Sequence, residues 1–346
     1  MTAAEQPRRT TLRDVARVAN VSTATVSYVL SGRRDGGDPG ISPATTQRVL
    51  AAAEKLNYRP NTSARSIRTG RSGVIQLSLT VLDDPWALAT AKATTAAARA
   101  HNLTTVILGD ADWQLSLDRL ECDVAYVDGV HNTTEELARI DLLVAQGQRL
   151  VLFSDTFEPN GFDVIRSRDY PGCLLAMQHL AEAHTRIGCL ATHGSVLSSE
   201  RRQTRYTAYR EGLAAAGIEF DPGLTATYDG TTTGVLPAAL ELLGREPRPT
   251  AVFALTDFAG VAVTQAAHML GLSVPDDVAV IGAGNSPVTQ QTTPSLSTVG
   301  PTDFFAQQAD IIVAAAIEPD HPPRLWNFDW SLHLGGSTDI DAMLPR

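Results

Sequence analysis

Residues 11–32 constrain the fold most, because they contain two short amphipathic helical patterns separated by a tight turn. Thr11 followed by Asp14 three residues later is the pattern of a capping box, which predicts where the first helix starts. Apolar residues then recur at helical spacing, at Leu12, Val15, Ala16 and Val18. Ser22 is expected to cap a second helix. That helix would turn three apolar side chains inward: Val26, Val29 and Leu30.

A third helical pattern follows, with Ser42 as its expected cap and Pro43 at the first helical position. Its predicted buried stripe consists of Val49, Leu50, Ala53 and Leu56. Three helices in this order are typical of a helix-turn-helix module, in which the start of the second helix enters the major groove of DNA. The residues expected at DNA from these helices are Thr11, Ser22, Thr23, Ala24, Thr25, Ser27 and Tyr28.

Charge is divided unevenly along the chain. The whole sequence holds 28 Lys and Arg against 38 Asp and Glu, yet residues 1–72 hold 12 basic residues against five acidic ones. A basic head on an acidic body is typical of a phosphate-binding module joined to a domain that stays off the DNA. The expected phosphate contacts are Arg13, Arg33, Arg34, Arg59, Arg65 and Arg68. A solvated basic face is the alternative for any one of them.

The segment LNYRPNTSARSIRTGRS, residues 56–72, completes the pattern. With the three helices before it, the chain resembles the lac-repressor (LacI/GalR) family of bacterial transcription regulators over essentially its whole length. The resemblance implies a short hinge helix in the minor groove at the operator centre, where Ile67 wedges between base pairs and kinks the duplex. The hinge residues it implies at DNA are Asn61, Ala64, Arg65, Ile67 and Arg68, next to Arg59. The alternative is that Ile67 is merely an apolar linker residue.

The rest of the chain alternates strand and helix patterns, as a doubly wound α/β chain does. Strands are predicted at 74–79, 104–108, 124–127, 150–153, near Val164, 187–191, 251–255 and 278–282, with helices at about 87–100 and 171–183. The predicted fold is an all-α helix-turn-helix head with a hinge helix, followed by a two-lobed α/β domain with doubly wound parallel sheets, similar to periplasmic binding proteins. The predicted domains are 1–60 for DNA binding, 61–72 for the hinge and linker, and 73–346 for effector binding and dimerisation.

The resemblance also implies an effector cleft between the two lobes, at the carboxyl ends of parallel strands. Arg205 matches the family's anchoring arginine, although Ala208 replaces the glycine usual in that motif. The residues implied to contact the effector are Trp86, Asp155, Arg205, Thr256, Asp257 and Asn285. Each has a plainer alternative, since the aspartates could cap helices, the arginine could form a structural salt bridge and the tryptophan could belong to the core.

One departure from the family bears on the ligand. Gly284 stands where the family has an aspartate that grips sugar hydroxyls. The loss of that carboxylate removes the strongest kind of contact available to a neutral polyol. A simple monosaccharide is therefore not expected, and a larger, differently functionalised ligand or no small effector at all both stay open.

Several function classes lack support in the sequence. We find no Gly-x-Ser-x-Gly elbow and no metal-spaced His pair, so no catalytic residue, metal or cofactor is predicted. The three cysteines, Cys122, Cys173 and Cys189, are far apart and are predicted to be reduced, buried thiols. No apolar stretch reaches membrane-spanning length and the N-terminus lacks a signal-peptide pattern, so a cytoplasmic location without membrane contact is expected.

The sequence thus predicts a DNA-binding transcription regulator, a repressor that binds a near-palindromic operator as a homodimer and responds to a small-molecule effector. No leucine heptad follows residue 338, which favours a dimer over a coiled-coil tetramer. A ligand-binding protein whose head contacts another protein, an enzyme built on the α/β body, and a regulator that no longer binds an effector are the alternatives. The Gly- and Pro-rich segment 31–40 is predicted to be a flexible loop of undetermined role.

Overall fold

The computed structural model describes residues 10–30, 41–59, 66, 70–80, 84–109, 113–198, 203–318 and 320–338. The chain divides into two compact units, Met1–Ser72 and Gly73–Arg346. The predicted loop at 31–40 lies outside the described residues, and so does most of the predicted hinge helix.

Three helices form the first unit: α1 Leu12–Ala19, α2 Thr23–Leu30 and α3 Pro43–Lys55. The capping box is present at the start of α1, where the Thr11 and Asp14 side chains each accept from the other residue's backbone N–H. Ser22 begins α2 in a similar way, because its Oγ accepts from the Thr25 N–H at 3.1 Å. The predicted starts of all three helices are therefore confirmed.

The core of this unit differs from the predicted stripe at two positions. Val15, Val26 and Val49 are fully buried, one from each helix, and small alanines let the helices approach closely. Leu50 is 49% exposed and Val18 is 46% exposed, so their expected places in the apolar stripe were wrong. The physical reason for Leu50 is helical spacing: Val49, Ala52, Ala53 and Leu56 share the inner face, and Leu50 lies about 100° away from Val49.

The second unit contains two parallel sheets. The strands of the first lobe's sheet are β1 Val74–Ser78, β2 Thr104–Leu108, β3 Val124–Val127, β4 Leu150–Phe153, β5 Asp163–Arg168 and β11 Leu325–Asp329. Their order is β11-β5-β4-β3-β1-β2, and every described pair is parallel. The strands of the second sheet are β6 Ile187–Thr192, β7 Thr225–Tyr228, β8 Ala251–Ala254, β9 Ala279–Ala283, β10 Ser297–Gly300 and β12 Ser331–His333. Their order is β12-β10-β9-β8-β6-β7, with β12 antiparallel at one edge.

Helices pack against both sheets, which confirms the predicted two-lobed α/β fold. The first lobe carries α4 Pro85–Ala100, α5 Trp113–Leu117, α6 Thr134–Ala145 and α12 Phe304–Ile317. The second lobe carries α7 Asp169–Ala181, α8 His193–Ser198, α9 Arg205–Ala215, α10 Val235–Leu243 and α11 Asp257–Met269. Short 3₁₀ turns at Pro222–Leu224 and Pro287–Gln291 complete the second lobe.

The chain passes between the lobes three times. It leaves the first lobe from β5 to α7, returns from β10 to α12, and leaves again from β11 to β12 through Trp330. Trp330 is 6% exposed, and its indole N–H donates to Ser167 Oγ at 2.6 Å. This hydrogen bond links the first crossing to the third.

The cysteines are all free, and Cys173 and Cys189 are buried in the second lobe while Cys122 is half-buried. Burial raises the pKa of the Cys122 thiol to about 11 and raises the pKa of the other two further still, so these thiols stay protonated at neutral pH. Within the described residues no helix has both the length and the apolar character to cross a bilayer.

The close packing of α7 on α9 can be tested at Gly212. A methyl group on Gly212 would lie 2.4 Å from Met177 Cβ, so Gly212→Ala forces the two helices apart. We expect it to lower the free energy of unfolding by about 1–3 kcal/mol, as overpacking does. Calorimetric unfolding of the full chain measures this. Gly194→Ala is the control, because a methyl group there meets nothing within 4 Å; equal stability of the two variants would contradict the described packing.

Candidate functional site

A cavity of about 270 Å³ lies between the two lobes of the second unit. Five of the six residues predicted to contact an effector line it: Trp86, Asp155, Arg205, Thr256 and Asp257. The other lining residues are Asp84, Phe153, Ser167, Asp169, Phe258, Ala283, Ser286 and Trp330. Both lobes contribute, and many of these residues directly follow a strand or begin a helix, as expected for the carboxyl edge of parallel sheets.

Arg205 is the first residue of α9, and the side chain of Thr204 caps that helix. Its Nε donates to Asp169 Oδ2 at 2.8 Å, and its Nη1 donates to the Leu255 carbonyl at 2.8 Å. The guanidinium carbon also lies 4.8 Å from the centre of the Trp330 ring, within the range of a cation–π contact. The arginine therefore both lines the cleft and forms the structural salt bridge considered as its alternative.

Asp257 begins α11 after the cap residue Thr256, but its carboxylate is only 3% exposed. The Ser286 N–H donates to Oδ2 at 2.6 Å, and the Thr298 hydroxyl donates to Oδ1. Burial raises the pKa of Asp257, and the hydrogen bonds from Thr298 and Ser286 lower it in part. The carboxylate thus ties the start of α11 to the segment after β9 and to β10, which leaves it little capacity for a ligand.

Asp155 is different, because it is solvent-exposed at the cleft. The surrounding protein and the neighbouring Asp169 carboxylate raise its pKa, while Arg205 and Arg166 lower it. Within the described residues it forms no ion pair. Its carboxylate is an accessible acceptor at the cleft.

Trp86 belongs to an aromatic cluster of the first lobe. Its ring centre lies 4.8 Å from those of Phe304 and Phe305 and 6.3 Å from that of Phe153. Asp84 Oδ1 accepts from the Trp86 N–H at 2.9 Å and caps α4. The tryptophan is therefore anchored in the core and also presents part of its ring to the cavity.

Asn285, the sixth residue predicted to contact an effector, is not among the residues that line the cavity. Its backbone is left-handed, with φ of 52°. Its Nδ2 donates to the Pro301 carbonyl at 3.0 Å and lies 3.2 Å from His333 Nε2. The neighbouring residue, Ser286, lines the cavity instead.

Gly284 has a structural reason for lacking a side chain. Its φ of +136° favours glycine, and a Cβ there would lie 3.0 Å from Asp257 Oδ2 and 3.4 Å from the Trp86 ring. A carboxylate at this position would approach the buried Asp257 carboxylate.

Sequence reasoning missed the lining residues Asp84, Phe153, Ser167, Asp169, Phe258, Ser286 and Trp330. Asp84 and Asp169 stand at helix starts, a signal that was available. Trp330 carried no such signal, because its place depends on the third crossing between the lobes.

The predicted DNA-reading face lies on the first unit. Thr11, Ser22, Thr23, Ala24 and Arg59 are exposed, and Thr25, Ser27 and Tyr28 are half-buried. The start of α2 thus presents small side chains to the surface. The remaining predicted contacts lie outside the described residues: Arg33, Asn61, Ala64, Arg65, Ile67 and Arg68.

A helix-turn-helix head followed by a two-lobed α/β unit with a cavity between its lobes defines a class, that of ligand-responsive regulators built on a periplasmic-binding-protein-like body. The family model for bacterial regulatory proteins of the lacI family matches residues 11–61. The model for a periplasmic binding protein-like domain matches residues 177–338.

Curated proteins and solved structures agree with these matches. The ribose operon repressor of Escherichia coli (strain K12) is 30% identical over 317 residues, covering 89% of this chain and 94% of the relative. The HTH-type transcriptional regulator MalR of Streptomyces coelicolor is 33% identical over 304 residues, covering 84% and 85%. A complex of the transcriptional regulator CelR with cellobiose has a TM-score of 0.61 at 26% identity, covering 95% of this chain and all of that one. The lac repressor dimer bound to operator and the anti-inducer ONPF shares the fold, with a TM-score of 0.73 at 20% identity, covering 96% and 99%.

The chain belongs to the lacI family of bacterial regulatory proteins. It is a DNA-binding transcriptional regulator, and the predicted family and function class are confirmed.

The account of Gly284 predicts the effect of restoring the family's aspartate. Gly284→Asp should lower the free energy of unfolding by more than about 2 kcal/mol, because it adds a strained side chain and a second buried carboxylate beside Asp257. Gly284→Asn has the same size without the charge and should cost less. The gap between the two variants should shrink as the pH falls through the raised pKa of Asp257, because a protonated carboxyl no longer repels its neighbour. Urea unfolding at several pH values measures both effects, and a gap independent of pH would contradict this explanation.

Proposed function

We propose that this protein is a repressor that binds a near-palindromic DNA operator as a homodimer in the cytoplasm and is controlled by a small molecule in the interlobe cavity. The observation that carries the proposal is the presence, in one chain, of an exposed α2 start on a basic head and a cavity lined from two lobes. A division of labour follows from it: residues 1–60 read DNA, residues 61–72 form the hinge, and residues 73–346 dimerise and bind the effector.

Specificity for DNA would come from the start of α2. The methyl groups of Thr23 and Ala24 suit thymine methyls, and Tyr28 can contact a base edge or donate to a phosphate. Arg59 and the hinge arginines would position the head on the backbone without reading sequence. Ile67 would wedge into the minor groove at a flexible pyrimidine–purine step, where kinking is least costly.

Control would follow from the two-lobed design. Because a ligand in the cavity touches both lobes, it favours the lobe arrangement that fits it better, and the ordering of the hinge follows that arrangement. The three crossings between the lobes are the segments that bend. The hydrogen bond from Trp330 to Ser167 links the first and third crossings, so these two segments would move together.

The first experiment is selection of the purified full-length protein against random DNA duplexes at physiological salt. A palindrome with a central pyrimidine–purine step is the expected product. The proposal would be refuted if the protein bound duplexes without sequence preference, with an affinity that falls steeply with added salt, both alone and in the presence of metabolite extract. Such binding is electrostatic, and electrostatic contact alone carries no sequence information.

The wedge is tested by Ile67→Gly. Specific affinity should fall by at least about tenfold, while affinity for unrelated duplex should change little, because the wedge acts only where the DNA is kinked. Thr69→Gly is the control, since it adds a glycine to the same segment and keeps the wedge. Quantitative gel-shift or anisotropy titrations with both duplexes give the comparison, and equal losses on the two would show that Ile67 does not contribute to recognition.

A further inference from the structure

The chain enters the second unit at Gly73, directly before β1. In the first sheet β1 lies between β3 and β2, and both of these neighbours begin beside the point of entry. Residues 61–72, the proposed hinge and linker, are joined covalently to the body at this residue. The groups that hold Gly73 therefore set the point from which the linker leaves the body.

Gly73 is held from both sides. Its N–H donates to Asp123 Oδ2 at 3.0 Å, and Asp123 directly precedes β3. Its carbonyl accepts from the N–H of Thr104, the first residue of β2, at 2.8 Å. The Asp123 N–H in turn donates to the Val74 carbonyl at 2.8 Å. Asp123 thus bonds the entering chain twice, once through its side chain and once through its backbone.

The bond from Gly73 to the Asp123 carboxylate differs from the two backbone bonds, because sheet pairing does not impose it. The backbone bonds continue the parallel pairing of β1 with β2 and β3. Asp123 is only 8% exposed, and a hydrogen bond to a charged group is among the stronger ones. Gly73 has φ of +74°, a conformation that favours glycine, so the chain turns where the carboxylate holds it.

We infer that Asp123 is a positioning residue for operator binding: its carboxylate holds Gly73, and through Gly73 it fixes the point and direction from which the hinge segment reaches the DNA. The inference rests on the proposed function, because the anchor would assist the ordering of the hinge on the operator. A segment with one end already fixed loses less conformational entropy on ordering than a segment with a loose end. No contact between Asp123 and DNA is required.

The anchor itself is tested without DNA, by hydrogen exchange of the full-length protein with mass-spectrometric detection. Asp123→Ala should speed exchange of the Gly73 N–H at least about tenfold, the factor expected for one hydrogen bond to a charged group. Asp163→Ala is the matched control. Asp163 begins β5 at the same edge of the sheet, is 4% exposed and accepts from the Arg324 N–H at 2.8 Å. Equal exchange in the two variants, in peptides that span Gly73, would overturn the inference.

The consequence for DNA is measured by anisotropy titration of the full-length protein with the selected operator and with unrelated duplex. Asp123→Ala should lower operator affinity by at least about fivefold, because the released residue must be ordered again on binding. Affinity for unrelated duplex should change by less than about twofold, because non-specific binding depends on phosphate contacts. Asp163→Ala removes the same charge and should change either affinity by less than about twofold. An equal loss of operator affinity in both variants would indicate general destabilisation of the lobe and would overturn the inference.

Two further measurements separate positioning from a merely structural role. Asp123→Asn keeps an acceptor oxygen for the Gly73 N–H and should recover most of the lost operator affinity. A loss as large as that of Asp123→Ala would contradict the inference. Asp123→Ala should also cost less operator affinity in an Ile67→Gly protein than in the parent, because both residues act on the same hinge segment. Equal cost in the two backgrounds would show that Asp123 acts independently of the hinge, which also overturns the inference.

Operator selection is carried out in parallel, so that the two proposals fail separately. If Asp123→Ala releases Gly73 but no specific duplex is selected, the proposed function fails and the anchoring bond stands. If a specific operator is selected and Asp123→Ala binds it as tightly as the parent does, the positioning role fails and the proposed function stands.

Discussion

The geometry of the cleft depends on one guanidinium group. Arg205 contacts Asp169 at the first crossing between the lobes, the Leu255 carbonyl at the end of β8, and the ring of Trp330 at the third crossing. One side chain thereby contacts three segments that are far apart in the sequence. An arginine suits this position because its planar fork donates in several directions at once and also stacks on an aromatic ring. The second lobe consequently presents a preorganised wall to the cavity.

In the proposed function, this arrangement would couple ligand binding to lobe movement. Asp169 of the Arg205–Asp169 ion pair lies at the first crossing, which the Trp330–Ser167 hydrogen bond links to the third. A ligand that contacts this wall and the Trp86 side of the cleft would therefore act on the segments proposed to bend. A ligand shifts the equilibrium only by its difference in affinity for the two lobe arrangements. A ligand that contacts both lobes has a different affinity for each lobe arrangement. A ligand that contacts only one lobe would bind both arrangements equally and would not shift the equilibrium between them.

The limits of sequence reasoning are physical ones. Local signals located the starts of α1, α2 and α3 and most strands, because caps and apolar periodicity are properties of short segments. Asp155 and Arg205 were expected at the cleft because they match contact residues of the family, and both line the cavity, where the carboxyl ends of parallel strands meet. Trp330 could not be found in this way, since its position requires β11 to join the first sheet and β12 the second. Asn285 is not among the residues that line the cavity, and its Nδ2 donates to the Pro301 carbonyl, a contact that local sequence signals do not indicate.

The charge of the body gives the head and the cleft a common physical basis. Outside residues 1–72 the chain holds 33 acidic residues against 16 basic ones, and the acidic cleft lies within that part. A negative body is repelled by DNA phosphates, so the basic head is the part of the chain that DNA attracts. The same field concentrates cations near the surface, and the low-dielectric walls of a cleft focus it further. The repulsion between the body and DNA would weaken as added salt screens that field.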